Sequence, residues 1–259
     1  MKIIAPIVVT LVILSIILVS FWIYRKMRNA HLLLYKIHSD HEKDLADLFH
    51  QIQALQGLYL ELKFEKSLPS TRGWAASPDF LLLVVQHALD FKPQVVVECG
   101  SGVSTLVLAR ALQINGSGHV YSLEHQYEYA HKTKQLLERH GLTKWATVLH
   151  ASLRLHDLHG EEWPWYSEEV LPNLVIDMLV IDGPPGTIRV LARYPAGPIL
   201  FDRLNSSAMI FLDDANREDE RKILSMWTPE FPQLNLQFVE CEKGCAIMWK
   251  KDRTSKETV

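Results

Sequence analysis

Five acidic residues stand where apolar runs end: Glu98 in VVVEC, Glu124 in HVYSLE, Asp182 in DMLVID, and Asp213 with Asp214 in AMIFLDD. Short runs rich in Val, Ile and Leu read as buried strands. In doubly wound sheets ligands bind outside the carboxyl ends of the strands, so these five acids are the first candidates for chemistry. Directly after Glu98, Gly100 and Gly102 fit the first two glycines of a dinucleotide-binding turn, but the third place is filled by Thr105. The two glycines allow a ligand to approach the backbone closely, and the helix that follows offers free N–H groups.

The charges refine what that ligand can be. Glu98 would repel a pyrophosphate and suits a cation. Glu124 comes 24 residues after Gly100, near the usual offset of an acid that accepts hydrogen bonds from ribose hydroxyls. A ribose and a positive charge together are the inventory of S-adenosylmethionine, with its ammonium, sulfonium and adenosine. Asp182, Asp213 and Asp214 end adjacent strands and should converge beside that ligand. Unpaired, three such carboxylates repel and raise one another's pKa, so a hard divalent ion, Mg2+, is the expected occupant. It would lower the pKa of an acceptor hydroxyl and hold it in line with the methyl group. Alternatively, Asp214 is a helix N-cap and Asp182 a turn residue.

Candidate bases are less sharply placed. His125 adjoins Glu124, while His156 and His159 lie in HASLRLHDLHGEEWPWY, expected as a loop between the third and fourth strands. His156 is carried forward with Asp182 and Asp213 as catalytic. Trp163, Trp165 and Tyr166 in the same segment could stack on a sugar, close over a pocket or join the core. Arg72 and Trp74 could cover the cofactor from the other side. Arg189, Arg193 and Arg217 follow the acidic strand ends and would pair with an anionic acceptor or, more commonly, with the carboxylates themselves.

Helical patterns separate the strands: LLLVVQHAL, TLVLARALQ, EYAHKTKQLLERHG, then RVLARYP with ILFDRL, and DERKILSMW. With ATVLHA as the third strand, this alternation predicts an α/β fold, a doubly wound and mostly parallel sheet covered on both faces. NLQFVEC and CAIMWKK, joined by EKG, predict a hairpin that adds an antiparallel edge.

Upstream, residues 3 to 24 carry no charge, and at about 1.5 Å per residue they give roughly 33 Å of helix, enough to cross a bilayer. Arg25, Lys26 and Arg28 follow the span and Lys2 precedes it, which predicts a single-pass topology with the amino terminus outside and the rest of the chain in the cytoplasm. Leu45, Leu48, Ile52, Leu55, Tyr59 and Leu62 then form a seam for a stalk helix, packed on its own domain or paired in a homodimer. Pro69 and Gly73 end it. The expected divisions are an anchor with its basic flank (1–28), a stalk (29–68), a catalytic domain (69–251) and a polar tail (252–259). A net charge of -3 without a basic cluster argues against nucleic acid as a partner. Cys99, Cys241 and Cys245, odd in number, fit a reducing compartment.

ECGSGVST, SLEH, VIDGPPG and FLDDANR, with the terminal hairpin, resemble a class I S-adenosylmethionine-dependent methyltransferase, and more narrowly the small bacterial metal-dependent O-methyltransferases of the macrocin and catechol type. The resemblance covers roughly residues 70 to 250. It implies that Glu98, Gly100, Ser101, Gly102 and Ser104 line the methionine part of the cofactor and that Glu124, with His125 beside it, holds the ribose. Ser152, after Ala151, stands where such enzymes often place an acid near the adenine. Asp182, at the cofactor's edge, would also bind the metal with Asp213 and Asp214; in those enzymes the last of the three is often Asn. The expected activity is methylation of a hydroxyl on a small molecule, glycan or lipid-linked precursor at the cytoplasmic membrane face. The rival expectations are an NAD(P)-dependent oxidoreductase or epimerase, and a non-catalytic membrane scaffold.

Overall fold

The computed structural model describes residues 4–250. The polar tail, residue 251 of the catalytic domain, and the first residues of the anchor, including Lys2, lie outside the described residues. The chain divides into two compact units, residues 1–50 and 51–259.

The first unit is helical, the greater part of α1 (Ile4–Leu62). Its side chains from Leu11 to Tyr24 face outward, and α1 is long and apolar enough, by length and composition, to cross a membrane. Beyond the uncharged stretch, charged residues alternate with exposed apolar ones, Leu32, Leu33, Leu34 and Ile37 among them, and His38 pairs with Glu42 one helical turn on at 3.4 Å. Leu45, Leu48 and Phe49 remain exposed.

The second unit begins with the last turns of α1. Gln51, Ala54, Leu58 and Leu62 are its buried positions, whereas Ile52, part of the seam read from sequence, is 53% exposed. The reason for the rotated face is tertiary. Gln51 donates to Asp79 Oδ2 (2.8 Å), and Gly57 lets α1 approach so closely that a Cβ there would lie 3.1 Å from Leu82 Cδ2. Asp79 also accepts from Ser77, Phe80 N and Glu242 N, so one buried carboxylate joins α1, the start of α2 (Pro78–Phe91) and the far hairpin.

From α2 the chain alternates as β1 (Val95–Cys99), α3 (Val103–Asn115), β2 (His119–Glu124), α4 (Tyr127–His140) and β3 (Ala146–His150). The hairpin β4 (Leu153–Leu158) and β5 (Glu161–Tyr166) follows, then β6 (Ile176–Ile181), α5 (Ala196–Leu200), β7 (Leu204–Asp213), α6 (Glu218–Glu230), β8 (Leu234–Val239) and β9 (Cys245–Lys250). The main sheet runs β3-β2-β1-β6-β7-β9-β8, parallel except for β9, which is antiparallel to both neighbours. Pleating sends Val96 to one core with α2, α3 and α4, and Val97 and Cys99 to another with Trp165, Tyr194 and Trp227. The mostly parallel, doubly covered sheet and its antiparallel edge are as the sequence predicts.

Two local expectations fail. HASLRLHDLHGEEWPWY is not a loop but largely the β4–β5 hairpin, turned at His159 and Gly160, both with positive φ (58° and 82°). Its Trp163, Trp165 and Tyr166 are buried, so core packing is the reading that holds for these rings. RVLARYP is not helical either: Leu191 takes a left-handed φ of 60° and the segment is a series of turns up to α5. Helical propensity there is overridden by Arg193, whose guanidinium is drawn inward to acceptors at the ends of β6 and β7.

Candidate active site

The parallel register sets the acids in a row. Cys99 pairs with Leu123 on one side and Ile181 on the other, and Ile181 pairs with Leu212. Gly100, Glu124, Asp182 and Asp213 therefore all lie one residue beyond the same line, at the carboxyl edge where the strand order reverses. Gly100 turns with φ 110°, and a Cβ on it would come within 3.6 Å of the Asp182 backbone. Gly183 is tighter: a Cβ there would stand 2.4 Å from the Tyr166 hydroxyl, which closes this edge from β5.

Around β1 the polar groups form a net of hydroxyls. Thr105 Oγ1 donates to Glu98 Oε2 (2.5 Å) and accepts from Gly102 N (3.1 Å), while Ser122 Oγ donates to Gly100 O (2.6 Å). Thr105, which breaks the dinucleotide pattern, thus holds both the acid and the turn. Glu98 is fully buried, and its Oε1 has no partner. Burial pushes its pKa up to about 7 against the opposing hydrogen bonds from Ser104, Thr105 and Ser122. Glu124 behaves oppositely. Burial would raise it, but the neighbouring His125, Gln126 N (2.9 Å) and Ser101 Oγ (3.1 Å) together hold it below its ordinary value. His125 Nδ1 lies 3.1 Å from Glu124 Oε1, outside hydrogen-bonding direction, so that contact is electrostatic. Ala151 N bonds Glu124 O (2.8 Å), which leaves Ser152 exposed at the same edge.

At β6 and β7 the three aspartates converge as expected, each offering an oxygen within 4.8 Å of the others. They do not converge on open space. Arg193, 4% exposed in its side chain, places Nη2 at 2.7 Å from Asp214 Oδ2 and 3.2 Å from Asp182 Oδ1. The same nitrogen donates to Asp182 O (2.7 Å), Nη1 donates to Asp213 O (2.8 Å), and Glu220 lies 3.6 Å away. Arg217 adds a second pairing to Asp214 (2.8 Å) from a half-exposed position. Burial raises Asp182 to about 6 and, with the charges of Asp182 and Asp214, holds Asp213 well above the ordinary carboxylate range. Asp213 Oδ2 and Asp214 Oδ1 are buried without partners. The donor set is thus right for a hard cation, but one oxygen of Asp182 and one of Asp214 are already taken by a guanidinium, and a divalent ion does not fit beside it as the side chains stand.

The histidines are elsewhere. His156 sits on β4 opposite Trp163 with Nε2 buried and unpartnered, and among the described contacts none joins it to the aspartates. His159 meets Glu230 at 3.2 Å. Arg189 lies over the Trp163 ring at 3.7 Å and bonds Glu161 and the Glu162 carbonyl. Arg72 pairs with Glu242, and Lys243 donates to Ala75 O, so the loop carrying the exposed Trp74 is tied to the β8–β9 turn. Sequence reading did not single out Thr105 as a partner of Glu98, nor Ser122. The signal available for Thr105 was its place in the fingerprint; Ser122 had none.

A family model described as a methyltransferase domain matches residues 97–215, the span from β1 to the end of the acidic cluster. No curated protein matches by sequence. Among solved structures the chain is similar to a Podospora anserina methyltransferase bound to S-adenosylhomocysteine (14% identity, 77% of this chain and 88% of that one, TM-score 0.55). It is also similar to the Bacillus cereus O-methyltransferase in complex with S-adenosylhomocysteine (18%, 79% and 96%, TM-score 0.52). A third is the Streptomyces achromogenes O-methyltransferase TomG, involved in tomaymycin synthesis and bound to S-adenosylmethionine (13%, 79% and 95%, TM-score 0.53). At these identities the likeness is one of fold. With the matched domain it defines the class: this chain is an S-adenosylmethionine-dependent methyltransferase, an enzyme rather than a scaffold. The nicotinamide alternative finds no support, and Thr105 in place of the third glycine gives the local reason.

Proposed function

We propose that the enzyme transfers the methyl group of S-adenosylmethionine to a hydroxyl oxygen. The observation that carries the reading is the shared edge: a buried acid with a free oxygen, Glu98, two residues before Asp182's neighbour Gly100. In this reading Glu98 meets the positive methionine part of the cofactor, with Gly100, Ser101, Gly102 and Ser104 shaping the turn around it. Glu124, kept ionised by its hydrogen bonds and by His125, accepts from the ribose hydroxyls, and Ser152 borders the adenine side. Asp182, at 18% exposure the most accessible of the three aspartates, faces the acceptor.

The sulfonium supplies an electrophilic methyl. The C–S bond breaks with its pair left on sulfur, the C–O bond forms from the hydroxyl lone pair, and Asp182 takes the hydroxyl proton. Asp213 sits behind it. The divalent ion expected from the sequence would be held by Asp182, Asp213 and Asp214 and would supply Lewis-acid activation of the hydroxyl, but Arg193 already occupies oxygens of Asp182 and Asp214, so the side chains as they stand do not fit it. His156, off the described contacts of the triad, is the weaker candidate for the base.

The length and apolarity of α1 support a single-pass anchor, with the enzyme on the cytoplasmic side as the basic flank favours. The catalytic domain proper runs from about residue 69, and the last turns of α1 fold with it. Leu45, Leu48, Phe49 and Ile52 support a homodimer through the stalk. The acceptor would be a small molecule, glycan or lipid-linked precursor. Calorimetry on the full chain in detergent should find S-adenosylmethionine and its demethylated product binding in preference to NAD. Labelled-methyl transfer into cell extracts should give a product stable to mild alkali; a base-labile product would be a methyl ester, which would make the acceptor a carboxylate and overturn the hydroxyl reading.

A further inference from the structure

We propose that Arg193 is the resident cation of the acidic cluster and that the enzyme works without a divalent ion at Asp182, Asp213 and Asp214. The inference rests on the methyltransferase reading and deepens it. A metal in this position would join the ends of β6 and β7 by binding oxygens from both. Arg193 already does so, through Nη2 to Asp182 Oδ1 and Asp214 Oδ2 and through both terminal nitrogens to the backbone carbonyls of Asp182 and Asp213. A planar guanidinium suits that task, because its fixed fork can meet several oxygens in one arrangement.

The side chain is also held from behind. Leu191 N donates to Asp219 Oδ2 (3.3 Å), the Tyr194 hydroxyl donates to Glu230 Oε2 (2.9 Å), and Trp227 Nε1 donates to Tyr194 O (3.0 Å). These bonds fasten the turns on both sides of Arg193 to α6. Gly197 completes the seat, since a Cβ there would lie 2.4 Å from Trp227 Nε1. For a divalent ion to replace the guanidinium, this whole corner would have to open. For an ion to join it, Asp214 would have to serve a third cation beside Arg193 and Arg217, next to a guanidinium that is almost wholly buried, where like charges repel strongly.

Arg193 is therefore a positioning residue. It fixes the strand ends and the direction of Asp182, while Asp182 itself receives the acceptor proton. Proximity to the sulfonium methyl and removal of that proton are what the transfer requires, and both are supplied by the chain.

The test is metal binding by the full chain in detergent, dialysed against Mg2+ and then Mn2+, with metal content, melting temperature and S-adenosylhomocysteine affinity read on the same samples. The wild type should retain no stoichiometric metal, and chelation should leave its melting temperature and affinity unchanged. Arg193→Met should lower the melting temperature, and Mn2+ or Mg2+ should restore part of it by entering the vacated ligands. One equivalent of metal on the wild type, lost in Asp213→Asn, overturns the proposal. So does an Arg193→Met protein that takes up no metal, because the guanidinium would then not be what keeps metal out. If that variant fails to fold, the metal content of the wild type decides alone. Absence of S-adenosylhomocysteine binding would instead sink the methyltransferase reading, whatever the metal result.

Discussion

Two groups of buried acids lie on neighbouring strands of one sheet edge and are solved differently. Glu98 is surrounded by hydroxyls, has an unpartnered oxygen and faces no basic side chain among its described hydrogen bonds. Asp182, Asp213 and Asp214 enclose a buried arginine. An acid buried without a counter-ion is costly when ionised and relaxes by taking a proton or a cationic ligand. An acid buried with one has its charge already answered. The difference separates a place prepared for a positively charged ligand from a place whose own cation sets geometry.

The largest effect should come from breaking the second group. Arg193→Met leaves buried carboxylates without their partner, and removing one side of such a network typically costs about 3–5 kcal/mol. The denaturation midpoint of the full chain in urea should fall accordingly; a loss of a few tenths of a kcal/mol would mean that solvent or metal, not Arg193, balances the cluster. Glu98→Gln should act the other way round. Its fold should survive, but affinity for S-adenosylmethionine should drop roughly ten- to hundredfold, the range expected for losing a hydrogen bond to a charged group.

Proton linkage sharpens the contrast. Glu98 has a folded pKa of about 7 against an ordinary 4.5. Between those values the folded protein keeps a proton that the unfolded chain has released, so this group's contribution to stability declines as pH rises through the window and is fully lost above about 7. The change amounts to about 3 kcal/mol. A cationic ligand needs the ionised form, so its affinity should weaken by up to about tenfold per pH unit below 7 and level off above. Glu98→Gln should flatten both curves; a pH slope that survives the substitution belongs to another group. Thr105→Val, nearly isosteric, removes the donor to Glu98 and the acceptor of Gly102 N, at about 1–2 kcal/mol. It should also move the binding transition to higher pH, while Thr105→Ser leaves it in place.

The strand ends were legible because apolar runs with a terminal acid mark both the strand and the edge it reaches. The convergence of Asp182 with Asp213 and Asp214 follows from that pattern once their two strands are neighbours, whereas the full strand order depends on long-range pairing that no single run displays. What surrounds the acids was less so. Arg193 lies in RVLARYP, whose local propensity is helical, and only acceptors on β6 and β7 explain the turn at Leu191. The β4–β5 hairpin depends on His159 in a left-handed conformation, a place sequence reading assigns to Asn or Gly. The face of α1 was misjudged at Ile52 because a polar residue, Gln51, is buried by a bond to Asp79.

Arg217 offers the finest test, because it and Arg193 touch the same oxygen of Asp214, at 2.8 and 2.7 Å. Distance alone would rank them together. Burial does not: the Arg217 side chain is 52% exposed and that of Arg193 is 4% exposed. Water screens the outer pair and its long side chain loses rotamer freedom in forming it, so Arg217→Ala should cost less than about 1 kcal/mol. Metal content and S-adenosylmethionine affinity should stay at wild-type values in this variant. A double-mutant cycle with Asp214→Asn should give a small coupling for Arg217 and a large one for Arg193. Equal couplings would mean that both arginines serve one pooled charge, and that the inner guanidinium has no geometric task of its own.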